Sequence, residues 1–170
     1  EPLYETPITT ILNADIPVTR EGVVACPGVT GGVLWSSPAY HPGEKILLTS
    51  SIDYCSRFRA TAEVRFVPGQ LYMGGTARHE GDMSGWITAV DVETGEVRWE
   101  HQTEFPNVAA VTTTAGGIGI SGTLAGDLLF IDLASGEVLN SIATGAQIGG
   151  GNISYAVDGK QYIAVGSGLG

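Results

Sequence analysis

The chain has 170 residues with eighteen acidic and eight basic side chains, a formal charge of −10. That balance argues against a nucleic-acid partner, because little here would neutralise a phosphate backbone. Glycine is abundant at 25 residues and helix formers are sparse, so short strands joined by tight turns are expected, and no apolar run approaches the roughly 20 residues that span a bilayer.

Glu1-Pro2-Leu3-Tyr4-Glu5 opens the sequence without a charged-then-apolar leader; a mature exported protein, an internal fragment and a cytosolic protein would all look this way. Cys26 and Cys55 lack the spaced partners of a zinc site or a redox CxxC. Spacing alone leaves a disulfide and two buried thiols equally open. Ala39-Tyr40, a turn at His41-Pro42-Gly43 and Ile46 to Ser50 read as strand, turn, strand. From Tyr54 to Ser84 an Arg-bearing excursion interrupts the pattern, and Gly69 to Gly74 within it reads as a further strand. Arg57, Arg59 and Arg65 form no phosphate cradle by spacing, and Glu80-Gly81-Asp82 reads as solvated carboxylates. His41, His79 and His101 do not pair at ligand spacing and are expected at the surface.

A repeat follows. Gly85 to Trp99 reads as strand, turn, strand, and Gly126 to Leu139 reads the same way. Gly85 and Gly126, Asp91 and Asp132, and Gly95 and Gly136 are each 41 positions apart. That period suits one four-stranded propeller blade. In each turn the Asp carboxylate can accept backbone N–H groups just ahead of it, Thr94 or Ser135 can reinforce the bend, and the Gly supplies positive φ. Ile118 to Gly122 precedes the second unit as a strand, and Leu128-Leu129-Phe130-Ile131 is apolar on both faces, as a strand sandwiched between blades requires. Ile153 to Val157, a turn at Asp158-Gly159 and Gln161 to Gly166 add a hairpin. The expectation is an all-β, partial β-propeller: residues 1–170 as about three four-stranded antiparallel blades, with an irregular insertion around 54–84. Closed propellers take about four to eight blades, so the ring is open.

Several motifs resemble the pyrroloquinoline quinone (PQQ)-dependent quinoprotein alcohol dehydrogenases. Ala89, Asp91, Thr94, Gly95 and Trp99 are similar to that family's tryptophan-docking motif, in which the Trp docks between adjacent blades; the second copy departs from it at Phe130 and Asn140. Cys26-Pro27-Gly28, Gly31-Gly32, Trp35 and Pro38-Ala39-Tyr40 resemble the family's CPG…GGxxW…PAY segment, with Asp53-Tyr54-Cys55 following. Thr144-Gly145, Gly149-Gly150-Gly151, Tyr155 and Asp158 to Val165 resemble its last blade. The resemblance implies the C-terminal third of an eight-bladed enzyme that oxidises a primary alcohol or aldehyde. PQQ would lie at the propeller centre, Ca²⁺ or a lanthanide beside it, and a c-type cytochrome would accept the electrons. The family is exported to the periplasm, which makes a Cys26–Cys55 disulfide the expectation. Trp35 is the leading candidate for cofactor contact, as an indole offers a flat face and one donor; the alternative is a core Trp between blades. Leu34 stands where family members place Asn or Glu, so its contact could only be apolar. Gly150, Gly151 and Asn152 resemble the family's centre-facing loop of the last blade, where small residues let backbone approach a ligand; a tight inter-strand loop without a ligand is the equal alternative. No catalytic or metal-ligating residue falls within this chain; the resemblance puts those on the remaining blades, and the segment alone is expected to be inactive.

Overall fold

The computed structural model describes residues 2–33, 36–63 and 65–168. The strands, in order, are β1 (Val23–Ala25), β2 (Ala39–His41), β3 (Ile46–Ala60), β4 (Gly75–Asp91), β5 (Val97–Thr103), β6 (Val111–Thr113), β7 (Ile118–Gly122), β8 (Asp127–Asp132), β9 (Val138–Ala143), β10 (Asn152–Val157) and β11 (Lys160–Val165). No helix occurs among the described residues.

All pairings are antiparallel. In the first sheet the inner half of β3 pairs with β2 and its outer half with β1, while its other edge runs along β4, which carries β5. The second sheet is β6-β7-β8-β9 and the third is β10-β11. Two four-stranded blades, β2 to β5 and β6 to β9, thus stand where the repeat places them, and the third sheet has two strands. Gly69 to Gly74, expected as a strand, belongs instead to the loop between β3 and β4. Gly69 and Gly74 take φ of 79° and 70°, which turns the chain at both ends of this segment, and β4 begins only at Gly75, in register with β3 from Ile46↔Asp91 out to Ala60↔Gly75. Residues 54–84 form the outer part of the β3–β4 arm, which β1 flanks along Ser56 to Phe58, and its connecting loop.

Sheet packing follows from alternation along β8. Leu129 and Ile131 join Ile46, Leu48, Ile87, Ala89, Val111 and Leu133 in a core between the two blades. Leu128 and Phe130 face the other way, with Ala109, Ile120, Ile148, Ile163 and Val165. The both-faced apolarity of this strand is the direct product of its place between two neighbours.

The repeat recurs in the turns, with the Thr94 and Ser135 N–H groups as equivalent donors and the second donor exchanged. The Glu93 and Thr94 N–H groups donate to Asp91 Oδ1 (2.8 and 3.1 Å), and the Ser135 N–H and hydroxyl donate to Asp132 Oδ1 (2.8 and 2.9 Å). Gly95 and Gly136 each have φ of 77°. Each repeat also carries a bulge in its last pairing, between Ala89 and Val90 and between Phe130 and Ile131. Trp99 lies over Gly136, where a Cβ would sit 2.7 Å from its ring, and its Nε1 donates to Leu133 O (2.8 Å).

Candidate functional site

Both sequence segments that resemble the cofactor wall converge on one crossover, the connection from β5 to β6. Ser36, directly after Trp35, donates from its hydroxyl to Val108 O (3.0 Å). From the last sheet, Gly150 O accepts the Ala110 N–H (3.1 Å), and Asn152 Nδ2 donates to Ala110 O (2.7 Å). Thr112 closes the other side, its hydroxyl donating to Asn152 O (2.9 Å). The crossover is itself fastened to the first blade: the Asn107 N–H donates to Ser51 O (3.3 Å) and the Ser50 hydroxyl to Ala109 O (2.6 Å). Any side chain at Gly85 would collide with Asn107 N, so this approach depends on glycine.

Two amide atoms in this knot are buried without a partner among the described residues. Asn152 is 5% exposed and its Oδ1 accepts nothing; Asn107 is 2% exposed and its Nδ2 donates to nothing. Buried polar groups are ordinarily satisfied, so each is a point at which a polar ligand atom or a water would be held. Gly150 and Gly151 are exposed. Neither has a positive φ, and a Cβ on either would meet nothing within 4 Å. Neither backbone conformation nor packing within this chain requires glycine there, and the space over them is open.

Leu34 and Trp35, the other candidate cofactor contacts, lie outside the described residues. Cys26 and Cys55 form a disulfide with Cα atoms 4.4 Å apart, which pins the turn after β1 to the middle of β3. His41 corrects its expected surface position: it is 7% exposed and its Nδ1 accepts the Glu44 N–H (3.0 Å), which holds the β2–β3 turn. His79 sits against the Tyr54 ring, centroids 5.5 Å apart. Glu80 is likewise engaged rather than simply solvated, gripping Arg57 through two contacts. Among the described residues no three His, Cys, Asp or Glu side chains converge as a cation site would need.

Asp53 is the carboxylate most heavily hydrogen-bonded by side chains. Its oxygens accept Trp86 Nε1–H (2.9 Å), the Thr10 N–H (3.1 Å) and the Thr9 and Thr10 hydroxyls (3.2 Å each). Burial pushes its carboxyl up, but the Trp86 and Thr10 donors outweigh that and hold it below the usual carboxylate range. It ties the N-terminal strap to β3 and β4. Asp91 also lies below that range, through the Arg98 guanidinium and then the Glu93 N–H.

The crossover at Asn107 to Ala110 gave little signal in the sequence. Phe105-Pro106-Asn107 reads as an ordinary loop, and its role arises from backbone carbonyls that no side-chain pattern reports.

Comparison with known proteins agrees with this geometry. No family model matches the chain. It is 31% identical to a quinoprotein ethanol dehydrogenase of Pseudomonas aeruginosa, over 94% of this chain and 28% of that protein. It is 30% identical to a lanthanide-dependent methanol dehydrogenase of Methylacidiphilum fumariolicum, over 89% of this chain and 26% of the relative. A europium-containing methanol dehydrogenase superposes with a TM-score of 0.78 at 26% identity, covering 86% of this chain and 27% of that one. The chain thus spans about a quarter of the length of these relatives. With the 41-residue repeat, the docked Trp99 and this alignment, the chain belongs over its length to the quinoprotein alcohol dehydrogenase family.

Proposed function

We propose that this chain is the C-terminal part of a PQQ-dependent dehydrogenase that oxidises a primary alcohol or aldehyde, and that it supplies one wall of the cofactor chamber. The observation that carries the reading is the shared crossover. Ser36, beside Trp35, and Gly150 to Asn152 are held on successive carbonyl and amide groups of Val108 to Ala110. Two open glycines directly precede Asn152, whose buried Oδ1 is unpartnered among the described residues. These residues fit a flat, polar-edged cofactor: glycine leaves room for a ring, and Oδ1 offers one acceptor. When bound, PQQ would take up the hydride equivalent from the carbinol carbon, with Ca²⁺ or a lanthanide polarising it. The metal ligands and catalytic base would come from the remaining blades. This chain's residues orient and enclose. A c-type cytochrome as electron acceptor and a periplasmic location extend the same reading, and the Cys26–Cys55 disulfide supports export. Residues 1–170 would act as one structural unit, with 54–84 an insertion upon it.

The test is PQQ uptake by the full-length enzyme carrying Gly150→Leu or Gly151→Leu. A Cβ at either position meets none of this chain's atoms within 4 Å, so thermal stability is expected to hold while cofactor affinity falls about tenfold or more, the loss that a misplaced contact of about 1.4 kcal/mol produces. Unchanged uptake in both variants overturns the assignment. A non-catalytic propeller serving as a scaffold or complex subunit is the second reading, favoured by Leu34, which cannot hydrogen-bond a quinone. Absence of PQQ uptake by the wild-type enzyme with either metal would select it.

A further inference from the structure

The arm formed by β3 and β4 gathers arginines that the linear sequence separates. Register sets Arg57 opposite Arg78 and Arg59 opposite Thr76, so the four side chains leave the same face of the ladder. Among the described residues these four line a cavity of about 350 Å³. Arg65 lines the adjoining cleft with Arg59. Spacing along the chain showed no phosphate cradle because the completing residue, Arg78, comes from the other strand.

Glu80 holds Arg57 from the side, Nε to Oε2 at 3.0 Å and Nη2 to Oε1 at 2.9 Å. Among the described residues, Arg59 and Arg78 are in no ion pair, and both are exposed. Like charges directly opposed across an antiparallel pair are destabilising. The directly opposed Arg57 and Arg78 therefore cost the arm stability, offset in part by Glu80 on Arg57, in a molecule whose net charge is −10. Guanidinium groups present paired N–H donors that match the oxygens of phosphate, and the Thr76 hydroxyl adds a donor at the fourth corner.

We propose that this face binds a phosphate group, with Arg59 and Arg78 as its principal ligands and Arg57 and Thr76 completing the set. The same chemistry is carried by free inorganic phosphate and by an anionic phospholipid head group, and two arms separate them. One titrates the protein with inorganic phosphate against chloride at matched ionic strength, since screening alone would act in both. The other measures co-sedimentation with phosphatidylglycerol vesicles against phosphatidylcholine vesicles. Saturable binding on the order of 1 mM or tighter in the first arm, weakened about tenfold by Arg59→Gln/Arg78→Gln and untouched by Lys160→Gln, supports the free anion. Binding in the second arm alone, with the same dependence on Arg59 and Arg78, supports the lipid-borne group. If the double variant does not fold, Thr76→Val and Arg78→Lys read the same site with less perturbation, and each is expected to weaken binding. Absence of saturation in both arms, or equal binding by wild type and variants, overturns the proposal.

Discussion

Trp99 and Tyr4 do one job in two chemistries. Trp99 lies over Gly136 and donates from Nε1 to Leu133 O; Tyr4 lies over Gly95 and donates from its hydroxyl to Val92 O at 2.9 Å. Gly95 and Gly136, and Val92 and Leu133, are equivalent positions of the repeat, so Tyr4 fills on the first blade the place that Trp99 fills on the second. Gly136→Ala would place a methyl group against the Trp99 ring at φ of 77°. A cost of about 1–3 kcal/mol is expected from the backbone alone, and more with the collision, measured by denaturant titration. Gly69→Ala, at φ of 79° with nothing within 4 Å, is the control that carries only the backbone part; equal losses at the two sites would refute the docking contact. Asp53 makes a second prediction at this scale. Its folded-state carboxyl lies below the ordinary aspartate value of 3.8, so its stabilisation is fully present above that pH and is lost as pH falls through the lower, folded value. The stability gap between wild type and Asp53→Asn is expected to be constant at neutral pH and to close below about pH 3.8. A gap that persists in acid would mean that the carboxylate charge is not what Trp86 and Thr10 recognise. The Asp–Gly turns were legible in the sequence because all their bonds lie within a few residues. Tyr4 was not, since its partner is 88 positions away and is a backbone carbonyl.

At the scale of elements, the β3–β4 arm leaves the blade and loses the packing that holds the rest. Near the blade β3 is buried from Leu48 to Ile52, whereas the connecting loop exposes Phe66, Leu71 and Met73, with Leu71 at 88%. Leu71 and Met73 made Gly69 to Gly74 look like a strand; periodicity reports side chains and says nothing of the positive φ that Gly69 and Gly74 take. What steadies the arm is β1 and the Cys26–Cys55 bond. Cys26→Ala/Cys55→Ala is expected to cost about 2–4 kcal/mol, with the loss felt first in the arm. Limited proteolysis should then cut between residues 61 and 74 before either blade is touched. Cleavage in β7 or β8 at the same time would show that the disulfide supports the blades as well. The candidate site divides along the same line: the glycine loop before Asn152 was legible by resemblance, while Asn107 to Ala110 acts through main-chain atoms that carry no sequence signature.

For the molecule as a whole, the two ends of the blade row differ. The first blade is closed off by its strap, with Tyr4 over Gly95 and the Ser51 hydroxyl donating to Ile8 O (3.0 Å). At the other end, β10–β11 turns Ile163 and Val165 toward the second core, and alternation sends the other set outward. Ile153, Tyr155, Val157 and Tyr162 are 59%, 46%, 49% and 39% exposed, with Tyr155 and Tyr162 stacked as direct cross-strand partners. A contiguous apolar face of this kind marks an interaction surface, and in a propeller its natural cover is the next blade. The polypeptide of residues 1–170 on its own is therefore expected to bind a hydrophobic dye and to self-associate at micromolar concentration. Ile153→Lys/Val157→Lys should suppress both, without altering the far-ultraviolet dichroism, because neither residue belongs to the second core. Dye-linked alcohol oxidation by this polypeptide is expected to be nil with PQQ and either metal. A monomeric, dye-silent wild type would show that the outward face of β10–β11 has no partner to find, and would remove the physical reason for placing further blades beside it.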